Sequence, residues 1–527
     1  MTVAAHAPEL ADAVAAAWPR AADAVRRRLL AALCREDVGD ARRRFGAAGR
    51  WSGYGHVTFH AAPDVPFADL LPAGAAGLVA ELENAVLNQA IAYARGPGGR
   101  AGSGPDAAVA AAERLAVEGH NLHPCGRTRL GWDVADVLAH DLEGTGTAVG
   151  FVAVPRAAHA GDDVGELLRG AYPAVPAAPA GHVVQPVHAW QWERLRRAPV
   201  AGLRLLDGRL PATATLAIRT LLLAGPARYL KLSLDVQITS TRRTISPASA
   251  ANGPRISAVL GKILDGDPVG ARALVLAEPA GAAAPGLGDG RAASVVVREP
   301  LAGRLLPGER VWPATALPAL DGSGRPVLAG LVDAYGVRHR VAGAAAAGGF
   351  LTAYARLLLA PVLRLATRYG VGLEAHLQNC LPTFRDGDPY RMIFRDLAGL
   401  RLHRPRLAAA GYALDLHPGS VVGTDDVRVL RAKVCYTAFQ AHLAELVRRL
   451  GDTHGLGGDA AWARVRAVVD ELSAGDADHA AWVAPTVPHK ALVRMRLAGG
   501  ADLYVPVPNP LSQHPGGRGV RTVPHPR

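Results

Sequence analysis

Residues 231–246, KLSLDVQITSTRRTIS, alternate apolar and polar side chains through Ile238 and then change character. Leu232, Leu234, Val236 and Ile238 share one parity, and Lys231, Ser233, Asp235, Gln237 and Thr239 share the other. A helix cannot sustain a period of two. The stretch therefore demands a strand with one face in a core and a polar face opposite. That polar face runs into Thr239, Ser240, Thr241, Arg242, Arg243 and Thr244. Hydroxyls and forked guanidinium groups suit phosphate or carboxylate oxygens, because charge-assisted bidentate bonds are strong and directional. The plain alternative is a solvated edge strand ending in a polar turn.

Other segments carry compatible chemistry. ATATLAIRTLLL (212–223) reads as a neighbouring strand that places Arg219 and Thr220 near the same cleft, or as a strand with an ordinary exposed arginine. LEAHLQNCLP (373–382), read as a strand, puts Glu374, His376 and Gln378 on one side and Ala375, Leu377 and Asn379 on the other. YRMIFRDLAGLRL (390–402) reads as a further strand whose exit carries Arg395 and Asp396. A magnesium ion on a nucleotide needs only one or two carboxylates or amides besides phosphate oxygens and water. Glu374, Asn379 and Asp396 are candidates for that set. EGHNLHPCGRTRLGW (118–132) gathers two histidines and two arginines in a polar, turn-like segment. It offers too few Cys/His ligands for tetrahedral zinc, so anion or nucleotide contact stands against a solvated loop. KALVRMRL (490–497) sets Lys490, Arg494 and Arg496 together, and a charged strand or helix edge explains it equally.

The rest of the 527-residue chain sets the frame. Residues 8–46 read as helical, 350–369 as a long helix kinked or restarted at Pro361 and ended by Gly370 and Gly372, and 426–450 and 459–473 as two more. RGPGGRAGSGPD (95–106), AYPAVPAAPAG (171–181) and GAAAPGLGDG (281–290) read as breaks, the last as a surface loop because no strand-to-helix entry precedes its glycines. No Walker A sequence occurs. Mixed strands and helices with helical ends imply an α+β class.

The formal net charge of +12 favours anionic partners. Without a basic, aromatic-interleaved run, a zinc-finger spacing or a basic zipper, nucleic acid is not the expected partner. Lysine occurs only at Lys231, Lys262, Lys433 and Lys490 among 58 basic residues, so a retained lysine hints at a need for a compact point charge. Cys34, Cys125, Cys380 and Cys435 are dispersed and fit a reduced, cytoplasmic protein. Glu9 and Asp12 interrupt any signal-like region, and Arg356 and Arg364 interrupt the most apolar stretch, so no membrane span is expected.

Taken in order, these segments resemble the IucA/IucC family, siderophore synthetases independent of nonribosomal peptide synthetases. HPCGRTRLG (123–131) matches its His-Pro-x-x-Lys-x-Arg-x-Gly-like segment, AIRT (217–220) its Ser-x-Arg-Thr, and KLSLDVQITSTRR its Lys-Leu-x-Leu…Ile-Thr-Ser-x-x-Arg. EAHLQN (374–379), RDLAG (395–399) and KALVRMRL complete six motifs, spanning roughly 118–511.

The resemblance implies a cupped hand with mixed or antiparallel sheets. Its regions would be a mostly helical thumb (1–115), fingers carrying the ATP and carboxylate strands (116–345), and a palm whose C-terminal part is FhuF-like (346–527). It implies an AMP-forming acid–amine ligase using ATP and magnesium. A carboxylate, usually citrate, attacks the α-phosphate, pyrophosphate leaves, and an amine or alcohol displaces AMP. By that resemblance His123, Arg219, Thr220 and Lys231 meet ATP, and Thr239, Ser240, Arg243 and His376 hold the acid. Glu374, Asn379 and Asp396 organise magnesium, with Gln378 beside the nucleotide; Lys231, Arg243 and His376 are the catalytic expectation. A homodimer is a further expectation. Ala217 and Arg127 depart from the family's serine and lysine, and Thr215 is the candidate substitute for the lost hydroxyl. The competing functions are a kinase-like phosphotransferase, because Asp396 follows Asn379 as in kinase magnesium ligation, and a non-catalytic anion-binding or iron-handling protein.

Overall fold

The computed structural model describes residues 3–97, 102–144, 146–499 and 502–512. Residues 98–101 of the expected 95–106 break lie outside them. The N-terminal helix α1 (Pro8–Glu36) begins with Pro at its first position and ends at Asp37 in the left-handed conformation, φ 51°. The expectation of one helical run to residue 46 is thereby corrected: the chain turns at Asp37 and resumes as the short helix Ala41–Phe45. Helix α2 (Ala76–Arg95) packs along α1 through a shared core that includes Val25, Leu29, Leu33, Leu82, Val86 and Ile91.

An antiparallel sheet follows. In chain order its strands are β1 (Thr147–Pro155), β2 (Ala160–Gly161), β3 (His182–His188), β4 (Arg204–Ala214), β5 (Thr220–Leu223), β6 (Tyr229–Leu232), β7 (Ala280–Ala283) and β8 (Val295–Arg298). In space the order is β2-β7-β8-β6-β5-β4-β1-β3. Leu221, Leu223, Leu230, Leu232, Val295 and Val297 share one buried core on one face. Register places Thr220 and Val296 on either side of Lys231, and Arg298 opposite Tyr229, so Thr220, Lys231 and Arg298 share the other face.

The alternating stretch is two strands. β6 stops at Ser233, whose N–H donates to Ser294 O at 3.0 Å and whose hydroxyl accepts from the Ile245 N–H at 2.8 Å. The chain then leaves the sheet as the hairpin Leu234–Ile238 and Thr241–Arg243. Leu234 and Val236 are buried in the core of α1 and α2, so the predicted inward set holds across the break.

In the C-terminal half, helix α3 (Gly343–Tyr369) runs unbroken through Pro361 and ends at Gly370, φ 68°. Among the described residues only this helix is long and apolar enough to cross a membrane, and most of it is buried in the largest core cluster. Beside it a four-stranded sheet pairs Cys380–Arg385 and Asp388–Phe394 with Ala273–Val275 and Arg310–Val311. Two strands from before residue 345 therefore belong to a sheet built mainly from residues after it. GAAAPGLGDG is only partly a surface loop, since residues 281–283 are buried in β7.

Candidate functional site

Asp396 is the centre. Strand Asp388–Phe394 delivers it in a left-handed conformation, φ 67°. Lys231 Nζ lies 2.5 Å from its Oδ1 and Arg298 Nη2 lies 3.7 Å from its Oδ2. Burial opposes its charge, yet Lys231, Arg298 and Arg219 hold its carboxyl far below the usual carboxylate range. Burial likewise lowers Lys231, with Asp396 acting the other way. Arg298 in turn pairs with the buried Glu278 at 3.0 Å. Three left-handed non-glycine residues border this site, Ile218, Thr239 and Asp396, and two are β-branched. Such backbone costs on the order of 1–3 kcal/mol per residue and concentrates at functional sites.

The hairpin tip forms the second part. Arg243 Nη2 donates to Ile238 O at 3.0 Å and to Thr239 Oγ1 at 2.7 Å, while Arg219 Nη1 donates to Arg243 O at 2.7 Å. Burial, then Arg219, bring the Arg243 guanidinium down to about 10. His123 Nδ1 accepts from the Cys125 N–H at 3.0 Å, which in the neutral ring leaves the proton on Nε2, 2.7 Å from Ser240 Oγ. Burial keeps His123 neutral.

The third part is Leu373–Asn379. It was expected to be a strand, and it is not one. Residues 373–376 are irregular, Leu377–Asn379 form a 3-10 turn, and pairing begins only at Cys380. Lys433 Nζ lies 3.0 Å from Glu374 Oε1 and His376 Nε2 lies 3.9 Å from Glu374 Oε2. Burial opposes ionisation of Glu374, but Lys433 and His376 pull it down to about 2. Burial lowers His376, with Glu374 opposing. A Cβ on Gly399 would sit 1.8 Å from Glu374 Oε2, so only glycine admits the carboxylate.

Of the expected residues, Lys231, Arg219, Arg243, Thr239, Ser240, His123, His376, Glu374, Asn379 and Asp396 are brought into these linked clusters. Thr220 is buried beside Lys231 with a hydroxyl that has no partner among the described residues. Gln378 gives its carbonyl to Arg395. Segment 118–132 is not a solvated loop, since His123, Arg127, Thr128 and Arg129 are buried. Arg127 is sealed against Glu143 and Asp141, so its guanidinium is structural and its exchange for lysine does not touch the cleft. Thr215 does not replace the hydroxyl missing at Ala217, because its own Oγ1 is buried and donates to Thr220 O at 2.8 Å. Lys490 pairs with Asp502 at 2.8 Å, and Arg496 donates to Ser240 O at 3.2 Å, buttressing the tip.

Sequence reasoning missed Arg298 and Glu278, noticed Lys433 only for its rarity, and gave Arg496 and His120 no part of their own within their motifs. Burial, then His376 and Arg243, push His120 down to about 3, which puts it in the same cleft. The one available signal was lysine scarcity: three of the four lysines sit in these clusters.

Among the described residues no group of three or more His, Cys, Asp or Glu gathers as a metal site. A divalent ion arriving with phosphate oxygens needs fewer ligands. Asn379 commits its amide nitrogen to Glu374 O, and among the described residues its Oδ1, Glu374 Oε2 and Asp396 Oδ2 have no donor within hydrogen-bond distance. The donor set fits such an ion.

Residues 108–319 match the profile of the IucA / IucC family, and 349–505 that of the Ferric iron reductase FhuF-like transporter. The chain is 29% identical over 283 residues to the D-ornithine–citrate ligase of Staphylococcus aureus, a match covering 50% of this chain and 43% of that one. It spans 57% and 43% of the length of the first two curated relatives it matches. The petrobactin biosynthesis protein AsbB of Bacillus anthracis shares the fold at TM-score 0.78 and 20% identity, covering 94% of this chain and 96% of that one. The ATP-bound aerobactin synthetase IucA of Klebsiella pneumoniae does so at TM-score 0.68 and 20% identity, covering 84% of each.

Proposed function

We propose, because the chain belongs to the IucA/IucC family, that it is an ATP-dependent ligase that adenylates a carboxylate and condenses it with an amine or alcohol. The observation that carries this reading is the density of buried positive charge. Arg219, Lys231, Arg243 and Arg298 converge with the hydroxyls of Thr220, Thr239 and Ser240 on one small region. Among the described residues the carboxylates that balance them are Asp396, Glu278 and Glu374, so the region receives anions with little reorganisation. A ligase named for joining D-ornithine to citrate and an ATP-bound structural neighbour support the substrate classes.

On this reading Lys231, Arg219 and His123 receive the nucleotide, with the free Thr220 hydroxyl available to a phosphate oxygen. Arg243, Thr239, Ser240 and His376 hold the acid in line with the α-phosphate, which turns the first step into positioning plus charge stabilisation. A divalent ion, held by Asn379 Oδ1, Glu374 and Asp396 with phosphate oxygens, would neutralise the departing pyrophosphate. The acyl carbon then takes the amine or alcohol, and AMP leaves. Residues 1–115, 116–345 and 346–527 serve as thumb, fingers and palm, with the strands Ala273–Val275 and Arg310–Val311 of the middle region joining the palm's sheet. A screen of carboxylic acids, citrate first, against amines decides the matter. Pyrophosphate and AMP appearing only with both ATP and acid supports the ligase, whereas ADP identifies a phosphotransferase and overturns it.

A further inference from the structure

Leu373–Ala375 makes no strand or helix hydrogen bonds, and His376 only opens the following turn by accepting from the Asn379 N–H at 3.0 Å, yet this stretch carries Glu374 and His376. Its shape is imposed from one helical rod: α4 (Val427–Val434), a π-helix over Cys435–Leu443, and α5 (Ala444–His454). Three consecutive residues face it, and two of them are held by its side chains. Lys433 Nζ lies 3.0 Å from Glu374 Oε1 and His442 Nδ1 lies 3.0 Å from Ala375 O, while Thr437 Oγ1 lies 3.3 Å from Leu373 O and has the nearer acceptor for its one proton in Lys433 O at 2.9 Å. A carbonyl can only accept, so His442 Nδ1 bears the proton. Nε2 then accepts from the Tyr354 hydroxyl at 2.8 Å, and the ring's tautomer and orientation are fixed from α3.

The π geometry makes this possible. In an α-helix Thr437 and His442, five apart, would point about 140° away from one another. A π-helix bonds i to i+5, so the two stack on one side. π segments of this kind mark functional positions more often than chance packing.

We propose that His442, locked by Tyr354, is a positioning residue: with Lys433 it sets the course of the backbone past Glu374 and so the placement of Glu374 and His376 toward substrate. Its activity arm rests on the ligase reading, and its exchange arm does not.

The test compares His442→Leu, His442→Asn and Tyr354→Phe with wild type. Asparagine keeps an N–H donor near the Nδ1 position, and leucine does not. We expect His442→Leu and Tyr354→Phe to lower kcat/KM for acid-dependent pyrophosphate release about 10- to 100-fold, mainly through the KM of the acid. His442→Asn should recover most of that loss. Backbone hydrogen exchange should rise over 373–379 in the impaired variants while the rest of the chain keeps its protection. Should His442→Leu fail to fold, Tyr354→Phe carries the same two readouts. Wild-type kinetics with unchanged exchange at 373–379 overturns the proposal, as does an asparagine variant no better than leucine with protection lost throughout. If wild type releases no pyrophosphate with any acid, the ligase reading falls, and the exchange measurement still decides this one.

Discussion

Lys231, Lys433 and Lys490 each meet a carboxylate at 2.5–3.0 Å in a chain whose other cations are nearly all arginine. A compact ammonium fits a single carboxylate oxygen in a crowded cleft, where the wider guanidinium fork would not. The consequence for Glu374 is measurable. Lys433→Met removes the charge that most lowers its carboxyl from the ordinary value of 4.5 to about 2. Protonation then sets in at higher pH, so the acid limb of the kcat/KM–pH profile should move upward. An unmoved limb would show that Glu374 does not act ionised. Arg243→Ala and His376→Ala should each cut acid-dependent pyrophosphate release by about 100-fold, the scale of losing one preorganised donor, with circular dichroism unchanged. Near-normal turnover in either variant would remove the tip from the acid site.

At the scale of elements, the C-terminal motif KALVRMRL is an anchor more than a ligand set. Its short helix, Leu492–Leu497, docks on the end of α1, where the buried Glu36 accepts from the N–H groups of Leu492, Val493 and Arg494 at 2.7–3.0 Å. The opposite end of the helix sends Arg496 to Glu81 on α2 and to Ser240 O. One six-residue helix thus ties the N-terminal helices to the hairpin tip. Glu36→Ala leaves three amides unpaired and should destabilise the protein by roughly 3 kcal/mol or more, read as a lower urea midpoint. It should also weaken acid-dependent turnover, through Ser240. A midpoint within error of wild type would mean that the docking contributes no stability.

Across the whole molecule, buried histidines set the response to acid. His188 and His442 are completely buried and burial pushes them from 6.5 to about 3 and about 4. Between those values and 6.5 the unfolded chain takes up protons that the folded chain refuses. Stability is therefore complete above about pH 6.5 and falls as pH drops. At pH 5 each residue withdraws roughly 2 kcal/mol. Urea midpoints at pH 7.5 and 5.0 check this, and equal midpoints would refute it. The α+β class, the long helix closed by Gly370, the strand of Lys231 and the hydroxyl–arginine tip were legible in the sequence, because periodicity, caps and side-chain chemistry act over a few residues. The single strand read over 212–223 is instead a hairpin of β4 and β5, and Arg219 sits in its turn. The extended reading of 373–379 failed for the complementary reason: its local pattern permits a strand, but Lys433 and His442 dictate another path from about sixty residues away. Arg127 looked like a cleft cation until Glu143 and Asp141 enclosed it. Sequence alone thus determined which hydroxyls and cations the protein carries at the hairpin tip. The tertiary structure alone decided which cation meets which carboxylate, such as Lys231 with Asp396 across 165 residues, because pairing at that separation is set by how the sheets and helices pack and leaves no local trace.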